Sequence, residues 1–338
     1  MKIIAQAPCR ISLVGGGTDV DPFASTYGGK VFNLAINLYH ICTLIPHSKS
    51  EIYLEALGEK RILPKLTQPL EYGQDPQFDL IRAIINYFRL KIPAGFSLQV
   101  ISPKANALGL GRSGSAAVAI IAVFNSWLKT GLAEKEISLL ASRLEVKELS
   151  WPGGKQDSLA AAFGGINLMI FGPGDKVAVQ PIKLASKTIA TLKQRTFMVF
   201  VGGDRHSATQ QKQLVKCMSD KAKLQAMLAL KNAVPSAITA LKQEDWSGLG
   251  QILHQGWEDK KKSNPSVTNA TIDKFYNLAR KNGAYGGNIS GSGGAGNMFF
   301  LIPPEKKPLA VKALVKAGAK LVDFDFDFQG VTVKQYDN

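Results

Sequence analysis

Residues 2–14 and 31–45 are runs of largely apolar, β-branched side chains, and both predict strands; 51–56 predicts a shorter one. Leu80, Ile81, Ile84, Ile85 and Phe88 recur at helical spacing, which predicts a helix over 78–90. Alternation returns over 95–102. The stretch 113–130 is apolar nearly all round and stops at Gly131, so it predicts a long buried helix. A helix over 134–149, a glycine-rich segment over 151–165 and a strand over 166–171 follow, with a turn at Gly172-Pro173-Gly174-Asp175.

The second half is richer in helical spacing. A strand over 196–201 opens it, and helices are predicted over 208–233, 235–241, 246–260 and 268–282. The chain closes with a strand over 297–302, a helix over 305–317 and strands near 321–328 and 331–334. Asp323-Phe324-Asp325-Phe326-Asp327-Phe328 alternates with period two, which predicts a solvated edge strand with three Phe on one face and three Asp on the other. Strands and helices in mixed order predict an α+β protein of two lobes, residues 1–185 and 186–338.

Composition supports two ordinary globular lobes: 338 residues, 45% apolar and 20% charged. The three cysteines, Cys9, Cys42 and Cys217, are too few and too scattered for a disulfide framework. Pro8 and Arg10 interrupt the apolar N-terminus before a signal sequence can form, and no apolar run is long enough to span a bilayer. A cytoplasmic protein without a membrane partner is expected. The net charge of +15 changes the picture more, because it draws anions. Its lysines are scattered and no aromatic residues interleave with them, so the expected partners are small anions rather than nucleic acid.

Three glycine clusters offer chemistry: Gly15-Gly16-Gly17-Thr18-Asp19, Gly109-Leu110-Gly111-Arg112-Ser113-Gly114-Ser115 and Gly291-Ser292-Gly293-Gly294-Ala295-Gly296. The last two match G-x-G-x-x-G, but neither lies between a strand and a helix as the dinucleotide fingerprint requires. There is no Walker A motif either, since Gly29-Lys30 and Gly154-Lys155 lack a following Ser or Thr. The second cluster leads into the long helix, and free N–H groups at a helix start form an anion site. Its hydroxyl at Ser113 suits a hard cation, and Arg112 adds charge. The four histidines have no zinc spacing, and no G-x-S-x-G elbow occurs. Carboxylates remain, foremost Asp157 in Gly154-Lys155-Gln156-Asp157, which is either a helix N-cap or a catalytic group.

Together, Ala7-Pro8-Cys9-Arg10-Ile11-Ser12-Leu13-Val14 with the first cluster, Pro103 with the second, and the third resemble the three motifs of the GHMP kinases in order. Gly15-Gly16-Gly17-Thr18-Asp19, Gly154-Lys155-Gln156-Asp157 before Ala160-Ala161-Ala162-Phe163-Gly164-Gly165, and Trp257-Glu258-Asp259-Lys260-Lys261 are similar to the heptose-phosphate kinase branch. Arg112, Gly114 and Asn288 depart from the branch's usual small residue, Ser or Ala, and Lys. The resemblance implies a mixed-sheet N-terminal domain and a helix-rich, ferredoxin-like C-terminal domain. It implies an ATP- and Mg²⁺-dependent enzyme phosphorylating the anomeric hydroxyl of a heptose 7-phosphate, monomeric or homodimeric. A kinase of an unphosphorylated sugar, fucokinase- or galactokinase-like, is the alternative; a sugar-phosphate or nucleic-acid binding protein is the non-enzyme one.

The resemblance also implies roles. Asp157 would meet the anomeric hydroxyl, beside Arg10. Gly109, Leu110, Gly111, Arg112, Ser113, Gly114 and Ser115 would hold the ATP phosphates, with Ser113 and Glu145 (or Glu148) on Mg²⁺. Gly17, Thr18, Asp19, Lys155, Ser292 and Gly293 would face the substrate, and Arg205, in a loop before a helix, would grip its distal phosphate.

Overall fold

The computed structural model describes residues 1–64, 66–103, 106–174, 176–203 and 220–337. Arg205 and Cys217 lie outside them. Strand β1 (Lys2–Val14) pairs antiparallel with the 18-residue β2 (Gly29–Pro46) along nearly its whole length. The other edge of β2 changes partner midway. Its first part, Gly29 to Leu34, pairs with β6 (Ile166–Phe171), which β7 (Val177–Pro181) extends. Its last part, Ile41 to Pro46, pairs with β5 (Phe96–Ile101), followed by β3 (Ile52–Ala56) and β4 (Glu59–Leu63).

A register shift at Pro8/Cys9 marks where β1 passes from one core to another. Ile3, Ala5 and Ala7 pack with α2 (Asp79–Phe88) and α3 (Arg112–Leu128), whereas Cys9, Ile11 and Leu13 pack toward the second lobe. Helix α3 is buried on nearly every side, as its apolar sequence requires. Helix α4 (Glu134–Arg143) runs into a wider π-helical turn at Leu144–Glu148, and α5 (Gln156–Phe163) lies across α3 and β1.

The second lobe carries a four-stranded antiparallel sheet in the order β11 (Lys320–Val322), β8 (Thr196–Phe200), β10 (Asn297–Leu301), β9 (Gly286–Ile289). In chain order that is 4-1-3-2, the ferredoxin-like arrangement expected. Helix α6 (Ser186–Gln194) precedes it. Helices α7 (Lys221–Lys242), α8 (Trp246–Ser263) and α9 (Ala270–Lys281) stand between β8 and β9, and α10 (Lys307–Lys316) follows β10. The sequence suggested separate helices on either side of residue 234. Instead α7 runs unbroken with Pro235 inside it, its apolar side fixed by the buried Val234, Ala237, Ile238 and Leu241. No helix among the described residues is long and apolar enough to cross a membrane.

Two expectations are corrected. The last strand, β12 (Thr332–Tyr336), pairs with β1, so residues 332–336 belong to the first sheet although the division at 186 puts them in the second lobe. The Asp–Phe stripe is not an edge strand. Phe326 bridges to Ile36 in the part of β2 that neither β5 nor β6 covers. Asp327 is buried; its carboxylate accepts hydrogen bonds from the Tyr39 hydroxyl at 2.8 Å and from the N–H groups of Gln329 and Gly330. It ties the chain's end to β2. Asp327→Ala should therefore cost about 1–3 kcal/mol, because it leaves the buried Gly330 N–H and the half-buried Tyr39 hydroxyl unpaired. Urea denaturation checks this, and a change under about 0.5 kcal/mol would show that the stripe is a solvated surface.

Candidate active site

The three glycine loops converge on one cleft of about 600 Å³. Its polar end is built by β1, the first loop and α5; its apolar end by β3, α2 and α3, with Ala56, Leu57, Leu80, Ile81, Ile120 and Trp151 on the walls. Loop two and loop three are joined directly: the Asn297 side-chain amide donates to the carbonyls of Asn106 and Leu108. A side chain at Gly296 would put its Cβ 2.6 Å from the Leu108 oxygen, so loop three can lie this close only as glycine.

Arg10 sits at the centre. It is 3% exposed, and its Nε donates to Asp157 Oδ1 at 2.8 Å while Nη2 lies 2.6 Å from the same oxygen. Its Nη1 donates to the Gly109 carbonyl at 2.7 Å, and its backbone N–H to that of Leu110. Asp157 is the second residue of α5 and not its N-cap, which is Lys155. The glycine spacing of loop two explains how α3 approaches: a Cβ at Gly114 would fall 2.8 Å from Asp157 Cβ, and one at Gly111 3.1 Å from Asp157 Cγ.

Helix α3 starts at Gly111, which takes a left-handed φ of 77° and supplies no side-chain cap. No acidic residue occupies its first turn, so a 17-residue helix presents its positive end to the cleft. Arg112 and Ser113 line the cleft there. Glu145 sits in the π-helical turn, 9% exposed. Burial pushes its carboxyl up to about 7; the nearby Ser113 hydroxyl opposes this and the Asp157 charge adds to it. A buried carboxyl beside a hydroxyl and a second carboxylate, all oxygen, is a donor set that suits Mg²⁺. Glu148 points elsewhere and accepts from the Tyr72 hydroxyl. Among the described residues no group of three or more His, Cys, Asp or Glu could hold a metal by itself.

Several expected site residues are engaged elsewhere. Thr18 is fully buried, its hydroxyl bonding the carbonyls of Gly15 and Lys30. The Ser115 hydroxyl donates to Ala7 O and meets His40 Nδ1, and its N–H bonds Gly111 O, so it does not face the cleft. Leu110 is core, and the Lys155 ammonium bonds the Gly174 carbonyl. Gly293 packs against Val267, while Gly17 and Ser292 line the cleft as expected. Sequence reasoning missed Ser12, His40, Gln156 and Lys260. The Lys260 ammonium donates to the carbonyls of Ile289 and Gly291, holding loop three. Its place in the densest basic run was the available signal.

The sequence matches the GHMP kinases N terminal domain over residues 79–165 and the GHMP kinases C terminal domain over 237–320. It is 35% identical to the D-glycero-alpha-D-manno-heptose 7-phosphate kinase of Campylobacter jejuni, covering 98% of each chain. The chain belongs to the GHMP kinase family. It is a small-molecule sugar kinase. Among solved structures, a D-glycero-D-manno-heptose 1-phosphate kinase from Bacteroides thetaiotaomicron superposes with a TM-score of 0.83 at 29% identity, over 99% of this chain and all of that one. A galactokinase of Pyrococcus furiosus is 26% identical over 93% of each chain. GHMP kinases use ATP as phosphoryl donor, which accords with a cationic helix start opening onto a cleft with one apolar end.

Glu145 yields a pH test. Its folded-state pKa is raised from 4.5, so its contribution to stability is full below about 4.5 and is lost as pH rises through about 7. Without divalent cation, thermal melts of the wild type should decline over that window, and Glu145→Gln should flatten the decline and melt higher at pH 8. Parallel curves would mean that the carboxyl ionises without penalty.

Proposed function

We propose that this kinase transfers the γ-phosphoryl group of ATP to the anomeric hydroxyl of D-glycero-D-manno-heptose 7-phosphate, giving the 1,7-bisphosphate, in the cytoplasm. The Arg10–Asp157 pair at the meeting of the three loops carries this reading, together with near full-length similarity to the Campylobacter jejuni enzyme. Phosphoryl transfer asks the protein mainly for alignment and charge neutralisation. The N–H groups opening α3, with Arg112, hold the phosphates. Asp157 orients the sugar hydroxyl and accepts its proton as the new bond forms. Arg10 keeps that carboxylate in place and faces the charge that develops on the transferring group. Ser113 and Glu145 would hold Mg²⁺, which when bound neutralises phosphate charge.

The names of the two heptose kinases place the sugar's existing phosphate differently, at carbon 7 and at carbon 1. We adopt the 7-phosphate because that relative shares more of this sequence. Arg205, read from the sequence as the grip on the distal phosphate, lies outside the described residues and stays a proposal. Its test is Arg205→Ala, which should lose about ten- to a hundredfold in kcat/KM for the phosphorylated sugar alone. Equal losses on a free sugar would assign it to ATP or the fold.

ADP release measured over heptose 7-phosphate, fucose, galactose, mannose and mevalonate tests the reading. The heptose phosphate should lead by at least about a hundredfold, and phosphorus NMR should place the new phosphate on the anomeric carbon. A free sugar in front would favour the fucokinase-like alternative. With the true acceptor, Asp157→Asn should melt lower, because Arg10 loses its ion-pair partner, yet still fold, and the folded enzyme should lose about 10²- to 10⁴-fold in kcat. A near-wild-type rate would reduce Asp157 to a structural residue. Ser113→Ala should raise the Mg²⁺ concentration needed for half-maximal rate.

A further inference from the structure

The sugar contact expected of Asp19 conflicts with where its carboxylate goes. Oδ1 accepts from the Gly17 N–H at 3.2 Å and from Gln156 Nε2 at 2.8 Å, and Oδ2 accepts from the Gln156 N–H at 3.1 Å. Gly154 lies so close over Oδ2 that a Cβ there would overlap it. These bonds set the Gln156 amide one way round, because the reverse would press its oxygen against a carboxylate oxygen. Gln156 is 7% exposed, and its Oε1 meets no hydrogen-bond partner among the described residues.

Ser12, on β1 two residues past Arg10, is 4% exposed, and its Oγ is likewise without a partner among the described residues. Both side chains line the cleft alongside Arg10 and Asp157. Gly16 stands between them: a Cβ there would come 2.6 Å from Ser12 Oγ and 4.0 Å from Gln156 Nε2. The side chain that Gly16 lacks leaves room beside Ser12 Oγ, and Gly16 itself is not in the left-handed region. Buried polar groups are nearly always paired, so two unpaired ones on residues that line one cleft mark the place of a ligand group.

Their chemistry selects the group. Gln156 Oε1 can only accept, and Ser12 Oγ–H is free to donate. An alcohol hydroxyl donates one bond and accepts another, so it satisfies both at once. A phosphate or carboxylate oxygen offers no proton to Oε1, and a methylene satisfies neither. We infer that Ser12 and Gln156 together read one hydroxyl of the acceptor sugar, with Asp19 as the positioning residue that fixes the Gln156 amide. The inference rests on the cleft's being the site of a sugar kinase, and it makes these two side chains specificity determinants next to the reacting centre.

The test compares wild type and Ser12→Ala on D-glycero-D-manno-heptose 7-phosphate and on its 2-, 3- and 4-deoxy analogues. The wild type should lose about tenfold or more in kcat/KM on one analogue. Ser12→Ala should lose about tenfold on the parent sugar and less than about twofold on that analogue, through KM for the sugar and with KM for ATP unchanged. Its melting temperature should not fall, since the hydroxyl removed has no protein partner. Gly16→Ala provides a second reading, because its methyl enters the room beside Ser12 Oγ; it should weaken the parent sugar more than the deoxy analogue. Equal losses on every acceptor, no loss at all, or a lowered melting temperature with uniform loss would overturn the inference. Failure of the wild type to turn over any sugar would instead overturn the kinase reading beneath it.

Discussion

A buried guanidinium needs partners in fixed directions, and Arg10 finds them in two separate parts of the chain. Its Nε and Nη2 hold Asp157 at the start of α5, its Nη1 holds the Gly109 carbonyl, and its own strand supplies an N–H to Leu110. Arginine alone offers this fork of donors in one plane, so lysine could not satisfy the same set. Loop two can bend into reach because Gly109 and Gly111 take left-handed φ values of 85° and 77°. Gly114 then lets α3 press against α5 without a Cβ in the way. The alignment of loop two, Asp157 and the first glycine cluster therefore follows from one side chain and the absence of others.

That arrangement crowds negative charge. Burial and the Asp157 charge raise both Asp19 and Glu145 above the ordinary carboxylate range. A cleft holding three carboxylates is relieved by cations, and the protein supplies them unevenly. Arg10 serves Asp157, backbone and side-chain N–H groups serve Asp19, and no cation among the described residues pairs with Glu145. A divalent ion at Glu145, as proposed above, would relieve that crowding.

Much of this was legible in the sequence because glycine spacing records where backbones must approach. The three loops, Arg10, Asp157, Ser113 and Glu145 meet in the structure as their motifs implied. Thr18, Ser115 and Lys155 were misplaced for a common reason: their partners are the carbonyls of Lys30, Ala7 and Gly174, and backbone oxygens leave no mark on a sequence. Period two in the Asp–Phe stripe implied a strand, yet Asp327 is held by Tyr39, 288 residues away. Ser12 and Gln156 stayed hidden because a serine in a strand and a glutamine beside an aspartate look ordinary until their buried atoms prove to be unpaired among the described residues.

If Arg10 aligns the reacting groups rather than merely supplying charge, its fork of donors should matter more than its charge. Single-turnover phosphoryl transfer by Arg10→Lys, with ATP and sugar saturating, measures this most directly. The transfer rate should fall about 10²- to 10³-fold while ATP affinity changes by less than about tenfold, because lysine keeps the charge and loses the fork. A transfer rate near that of the wild type would contradict it.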